Sequence, residues 1–259
     1  MFTAFLINLD RSTDRLAKME AQAQRIGLKF ERVPAVLGTA VPEHLRDKFY
    51  VDGQITPRLK PGEVGCYASH LLIYEAVRKR NLSHALVLED DVVLEDDLIE
   101  VAKKVLDAAP SGWDIIKLCN NTTRTAMSVA QIGSRHLVRY VRQPYLTGGY
   151  LVSASGASKM FSPSVRTSAI DVDIRLPWRF GLEVFGVLPE PVKVDFSDRS
   201  IIIEMGGRGN WKTDKQGTYF VELRYAAKCV GWPRVLLGEV ITGTTKWLPR
   251  TWQPRGRII

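Results

Sequence analysis

The stretch Ala85-Leu-Val-Leu-Glu-Asp-Asp-Val-Val-Leu94 constrains this chain more than any other. An apolar run drives straight into three consecutive carboxylates, Glu89, Asp90 and Asp91. A continuous aliphatic run of this kind reads as a buried strand of an α/β sheet. Ligands of such sheets collect in the crevice outside the carboxyl ends of the strands. Carboxylates side by side repel, and each resists burial unless a cation neutralises it. A hard divalent cation bridging to nucleotide phosphates accounts for the cluster, because Mg²⁺ takes one or two carboxylates plus phosphate oxygens. The competing reading is a strand that ends in solvated acids at a turn. Asp96 and Asp97, beyond the second apolar run, belong with helix capping or the surface.

Around this stretch the chain alternates strand-like and helix-like segments. Phe2–Leu9 reads as a strand, followed by N-cap chemistry over residues 10–13. Leu16, Met19, Ala23 and Ile26 then repeat at helical spacing, with Gly27 as the C-cap. Lys29–Val33 is the next strand. Residues 38–61 are polar and aperiodic, a long loop with a short helix at Glu43–Phe49. Glu63–Arg80 and Leu98–Ala108 are helical. Strands follow at Trp113–Leu118, His136–Arg142 and Tyr145–Ser153, then the helix Ala154–Phe161 and a strand at Glu183–Leu188. Repeated βα units imply a largely parallel sheet covered by helices.

A chain of 259 residues with 45% hydrophobic content can bury a large core and need hold only one domain with an appendage. No secretory leader is expected from the short Thr3–Asn8 run, and no apolar run approaches the ~20 residues of a membrane span. Cys66, Cys119 and Cys229 lie in no metal-ligand spacing, so they are expected as reduced core residues of a cytoplasmic protein. Only four histidines occur, which leaves zinc chemistry little to build on. Phosphate-cradling glycine loops and the Gly-x-Ser-x-Gly elbow are absent from the sequence.

The net charge of +8 is uneven: residues 199–259 carry eleven Lys or Arg against four Asp or Glu. Tyr219, Phe220, Tyr225, Trp232, Val235, Leu236, Leu237, Trp247, Leu248 and Trp252 are interleaved with those charges. The pattern divides the chain into residues 1–198 and a basic, mainly helical extension, 199–259. The extension suits either an ordinary packed subdomain or attachment to an anionic surface such as the inner membrane. No nucleic-acid module is visible, so nucleic acid is not an expected partner.

Read together, seven blocks make the chain resemble the glycosyltransferases of family 25, the bacterial lipooligosaccharide galactosyltransferase-like group. They are Ile7-Asn-Leu-Asp-Arg-Ser-Thr-Asp-Arg15, Arg32-Val-Pro-Ala-Val-Leu-Gly38, Pro61-Gly-Glu-Val-Gly-Cys-Tyr-Ala-Ser-His70, Leu86-Val-Leu-Glu-Asp-Asp-Val92, Trp113-Asp-Ile-Ile-Lys-Leu118, Gly149-Tyr-Leu-Val-Ser153 and Asp171-Val-Asp173. The resemblance runs to about Pro191 and leaves the basic extension outside it. It implies a GT-A-like fold, a UDP-sugar donor (commonly UDP-galactose) and inverting transfer to a saccharide or glycolipid acceptor. UDP-glucose, UDP-N-acetylglucosamine, or a homologue that binds without transferring are the alternatives.

The resemblance also implies roles. Asp91, with Glu89, would bind Mn²⁺ or Mg²⁺ across the diphosphate, and Asp90 would face the other way if the backbone is extended. Asn8, Leu9, Arg11 and Arg15 would face the donor, and Arg suits a diphosphate because its fork is bidentate. Surface ion pairing is the other reading of both arginines. Glu63, Ser69, His70 and Gly149 complete the donor set. Glu63 equally suits a helix N-terminus, and His70 equally suits a packed, hydrogen-bonded interior position. Cys66 is expected in the core. Inversion needs a base at the acceptor hydroxyl, and Asp171 and Asp173 are the candidates, Asp171 favoured. In an extended segment they would share a face; the bland reading is capping or pairing with Arg175 or Arg179.

Overall fold

The computed structural model describes residues 2–120, 125–195, 215–245 and 257–258. Its elements follow one another as β1 (Thr3–Asn8), α1 (Thr13–Ile26), β2 (Glu31–Pro34), a 3₁₀ turn (Glu43–Lys48), the short hairpin β3 (Tyr50–Val51) and β4 (Gln54–Ile55), and α2 (Pro61–Lys79). Then come β5 (His84–Glu89), β6 (Val92–Leu94), α3 (Leu98–Ala108), β7 (Ile115–Lys117), β8 (Thr125–Ile132), β9 (Arg135–Tyr140), β10 (Gly149–Ser153), α4 (Ala154–Met160) and α5 (Ile170–Arg175). A 3₁₀ turn at Pro177–Arg179 precedes β11 (Val184–Leu188) and β12 (Val192–Val194). Two helices, α6 (Lys215–Val230) and α7 (Trp232–Thr245), and the short β13 (Arg257–Ile258) complete the described chain.

Successive side chains of a strand point to opposite faces, and that period sorts the core into two layers. Ala4 and Leu6 of β1 and Leu86 and Leu88 of β5 pack with Met19 and Ala23 of α1 and with α3. Phe5, Ile7, Ala85 and Val87 face the other way, onto Val64, Tyr67 and Leu71 of α2. Gly27 ends α1 in the left-handed conformation at φ 70°, as its position in the sequence suggests.

The main sheet runs β13-β8-β9-β11-β7-β10-β5-β1-β2 among the described residues. The α/β, helix-covered architecture matches the expectation, and the sheet is mixed, with β9 antiparallel to both β8 and β11. β1 pairs in parallel with β2 and β5, and β7 with β11, but β10 is inserted antiparallel between β5 and β7. β8 was not anticipated; a register shift between Ser128 and Ala130 breaks the two-residue period by which a strand is read.

The C-terminal helices were expected, and they dock on the β8–β9 end of the sheet. Ala226, Val230 and Val235 pack on Val141, and Glu222 sits between Arg142 and Arg175. The expected 198/199 boundary lies outside the described residues, as do Trp247, Leu248 and Trp252. No helix among the described residues is long and apolar enough to cross a membrane.

Candidate active site

Parallel pairing sets Ile7 opposite Glu89, so β1 and β5 end side by side. Where they end, a cleft opens between α1 and α2, lined by Asn8, Leu9, Arg15, Val36, Cys66, Ser69, His70 and the three acids among others. The strand period then separates the acids. Asp90 turns to the α1 side, where Asn8 Nδ2 donates to it at 2.7 Å and Arg15 Nη1 at 3.2 Å. Glu89 turns to the α2 side, accepting from Thr147 Oγ1 at 2.6 Å and lying 3.3 Å from His70 Nε2. Asp90 therefore faces away from Glu89, as an extended backbone requires.

The carboxylates differ in charge as well as in direction. Burial alone would raise Glu89, but His70, Thr147 and the Lys117 charge outweigh it and leave its pKa below the usual value. Burial raises Asp90 in spite of Asn8 and Arg15. Asp91 is pushed up to about 7 by burial and by its two acidic neighbours; Arg15 and a bond to its own backbone N–H recover only part of the shift. Two of the acids are thus held by protein donors, and Asp91 is left as the poorly compensated charge in the cleft.

Asn8 is committed within the protein: it also donates to Ser12 O at 3.0 Å and accepts from Arg32 Nε at 2.9 Å. Its function in the site is to hold Asp90. His70 is fully buried, with Nδ1 2.7 Å from the Tyr150 hydroxyl, which in turn lies 2.7 Å from the Tyr74 hydroxyl. A carboxylate only accepts, so for a neutral ring Nε2 donates to Glu89 and Nδ1 accepts from Tyr150.

The α2 wall is built by close backbone approach. A Cβ at Gly65 would lie 2.3 Å from Val36 O, and one at Gly38 1.8 Å from Pro61 O. Ser69 fastens the same contact: its Oγ donates to Gly65 O and accepts from Val36 N, both at 2.8 Å. Ser69 therefore has a structural task in its helix, which its position in the sequence did not suggest. Glu63 caps α2, accepting from Lys60 N at 3.0 Å. Cys66, expected in the core, packs against it half-buried and also lines the cleft. Its thiol pKa is pushed well up by burial and by Glu89, Asp171 and Asp91, so it stays protonated.

Leu9 lines the cleft and Arg11 is exposed on the loop after β1. Gly149 lies under β12, where a Cβ would meet Val192 Cγ1 at 2.9 Å, so its smallness serves packing. Asp171 and Asp173 do not share a face. Their segment is helical, and two residues of an α-helix are separated by about 200°. Asp173 is buried, accepting from Tyr67 Oη at 3.0 Å and Arg179 Nη1 at 2.9 Å. Asp171 is half-buried, and its charge is felt at Cys66 and Lys117 on the side of the acid cluster.

The description "Glycosyltransferase family 25 (LPS biosynthesis protein)" fits residues 1–175, which hold β1 to α5 and every candidate residue above. The chain belongs to glycosyltransferase family 25. Among its relatives, a "Glycosyltransferase 25 family member" of Aedes aegypti is 34% identical over 185 residues, 68% of this chain and 30% of that protein. "Procollagen galactosyltransferase 1-A" of Xenopus laevis is 29% identical, over 67% of this chain and 30% of its own. "Probable inactive glycosyltransferase 25 family member 3" of Bos taurus is 30% identical, over 68% and 31% respectively. The chain thus spans about 30% of the length of the curated relatives it matches.

Among the described residues of this family 25 chain, two donor sets could hold a cation. Cys66, His70 and Glu89 bring one ligand atom each within 4.8 Å, but burial and the nearby acids disfavour the thiolate, and both His70 nitrogens are engaged. Asp91 with Glu89 offers hard oxygens and an under-compensated charge, which fits Mn²⁺ or Mg²⁺. Sequence reasoning missed Thr147, Tyr150, Lys117 and Arg32, which hold the acids and Asn8 in place. Lys117 is buried, donating from Nζ to Pro144 O at 2.6 Å and Tyr145 O at 2.9 Å, and so anchors the loop that carries Thr147. Its placement within an otherwise apolar strand, Ile-Ile-Lys, was the available signal.

Proposed function

We propose that this family 25 chain is a metal-dependent, inverting glycosyltransferase that moves galactose from UDP-galactose to a saccharide acceptor, a lipopolysaccharide-type glycolipid in the first instance. The observation that supports this most is the unequal treatment of the acids, with Asp90 and Glu89 held by protein donors and Asp91 lining the cleft only partly compensated. Asp91 and Glu89 would hold Mn²⁺ or Mg²⁺, which when bound neutralises charge on the departing diphosphate. Leu9 and Val36 offer apolar surface to the uracil, and Arg11, exposed on the loop after β1, would meet a phosphate. Asp171 accepts the proton of the acceptor hydroxyl while that oxygen bonds to the anomeric carbon and the bond to UDP breaks. Galactose and the glycolipid acceptor draw support from the name of the Xenopus relative and from the family's description.

The test is UDP release with Mn²⁺ over UDP-galactose, UDP-glucose and UDP-N-acetylglucosamine, in wild type and Asp91→Ala, with UDP binding measured in parallel. Release with one sugar, abolished by the substitution or by chelation, supports the reading and names the donor. A second reading, a homologue that binds nucleotide without transferring sugar, is favoured by the name of the bovine relative. Metal-dependent UDP binding with no release from any donor would select it. Failure to bind UDP at all would refute both.

A further inference from the structure

Large apolar side chains on a protein surface are usually scattered. Here Phe220, Trp232, Leu236, Leu237 and Val240 gather on α6 and α7, each between 50% and 65% exposed. Trp232, Leu236 and Val240 are spaced by four, so they form one row along α7 with Leu237 beside it. The opposite face of α7 already seats the helix: Val235 is fully buried, and Gly238 lies against Val141 and Thr125. The outer row is therefore apolar surface that packing does not require.

The exposed charges described on these two helices have one sign. Arg224 and Lys228 follow Phe220 at four-residue spacing on α6, and Arg234 stands at the start of α7, all exposed. The two carboxylates described on these helices are engaged elsewhere: Glu222 is buried against Arg142 and Arg175, and Glu239 accepts from Tyr219 Oη.

We propose that this two-helix face docks on an anionic phospholipid membrane. The row of Trp232, Leu236 and Val240 enters the headgroup and acyl boundary, while Arg224, Lys228 and Arg234 meet lipid phosphates. A second copy is a poorer occupant, because a two-fold contact would set the basic row against itself. Nucleic acid would leave the aliphatic row uncovered. The surface does not depend on the sugar-transfer reading, since it lies on helices outside the matched residues 1–175.

Flotation of the full chain with vesicles of phosphatidylcholine, alone or mixed with phosphatidylglycerol, tests the proposal. Binding is expected only with the anionic lipid. Each basic residue near such a surface contributes about fivefold in partitioning, so Arg224→Glu with Lys228→Glu should weaken binding at least ~25-fold. Leu236→Ser with Leu237→Ser should also release the protein, while both doubles keep wild-type melting and UDP binding because the altered side chains are exposed. No flotation with anionic vesicles overturns the proposal, as does flotation unchanged in both doubles. A concentration-dependent dimer abolished by the serine double would also overturn it, assigning the face to a second copy.

Discussion

Glu222→Gln isolates the tie between the C-terminal helices and the rest of the chain. Glu222 accepts from Arg142 Nε at 2.8 Å and Nη2 at 2.7 Å, and its other oxygen pairs with Arg175. Its side chain is 5% exposed, against 15% for Arg142 and 10% for Arg175. Glutamine keeps the shape but removes the charge and turns an amide donor toward a guanidinium. Breaking a buried pair costs about 3–5 kcal/mol, mostly the penalty of leaving charge uncompensated. Both guanidiniums retain some water contact, so the lower end, ~3 kcal/mol, is expected. In a chain of this size that corresponds to a Tm fall of roughly 6–12 °C. The matched control is Asp96→Asn, whose partner Arg25 and own side chain are 47% and 81% exposed; exposed pairs contribute about 0–1 kcal/mol. Urea unfolding of the two variants gives the comparison. A Glu222→Gln loss below ~1 kcal/mol, or one equal to that of Asp96→Asn, would refute the view that this carboxylate pins α6 to α5.

Other outcomes follow from the same structure. Burial lowers the Lys117 pKa to about 7, so between about pH 7 and its ordinary value near 10.5 the unfolded chain binds a proton that the folded chain does not. Stability should therefore rise with pH across that window, and Lys117→Met should flatten the rise in unfolding measured from pH 7 to 10. Asp171→Asn should retain UDP binding and lose most turnover, whereas Asp173→Asn should lose roughly 1–3 kcal/mol of stability through Tyr67 and Arg179; normal turnover in Asp171→Asn would remove it as the base. Gly65→Ala gains about 1 kcal/mol of helix propensity. Its Cβ meets Val36 O at 2.3 Å, and overpacking costs about 1–3 kcal/mol, so the variant should be less stable and bind UDP more weakly. A more stable Gly65→Ala would show that the loop yields freely.

The acid-tipped strand and the helix-covered sheet were legible because a continuous aliphatic run and the alternation of strand and helix segments depend only on local sequence. Asp90 could be assigned to the face opposite Glu89 by the two-residue period of a strand. The direction of β10 could not be read, since Gly149–Ser153 is buried throughout and looks the same in a parallel or an antiparallel place. Asp171 and Asp173 would share a face only in an extended segment; Ile170–Arg175 folds as a helix and parts them. Thr147, Tyr150 and Arg32 act on groups far away in sequence, and nothing within their own segments points to Glu89 or Asn8. Ser69 reads as an ordinary helix residue until the Val36 backbone comes to lie against Gly65.

The place of β11 has a consequence for how the chain is made. It is the strand that joins β9 to β7, pairing antiparallel with one and parallel with the other. Until residues 184–188 have been synthesised, the β8–β9 hairpin has no partner in the sheet and β7 presents an open edge. Open strand edges recruit other chains, and domains fold as their segments emerge. A chain stopped at 175, the last residue matched by the family description, would carry the three acids of the cleft with β7 and the β8–β9 hairpin left without β11. Completing the sheet is thus a late event in synthesis, and it depends on residues that take no part in the cleft.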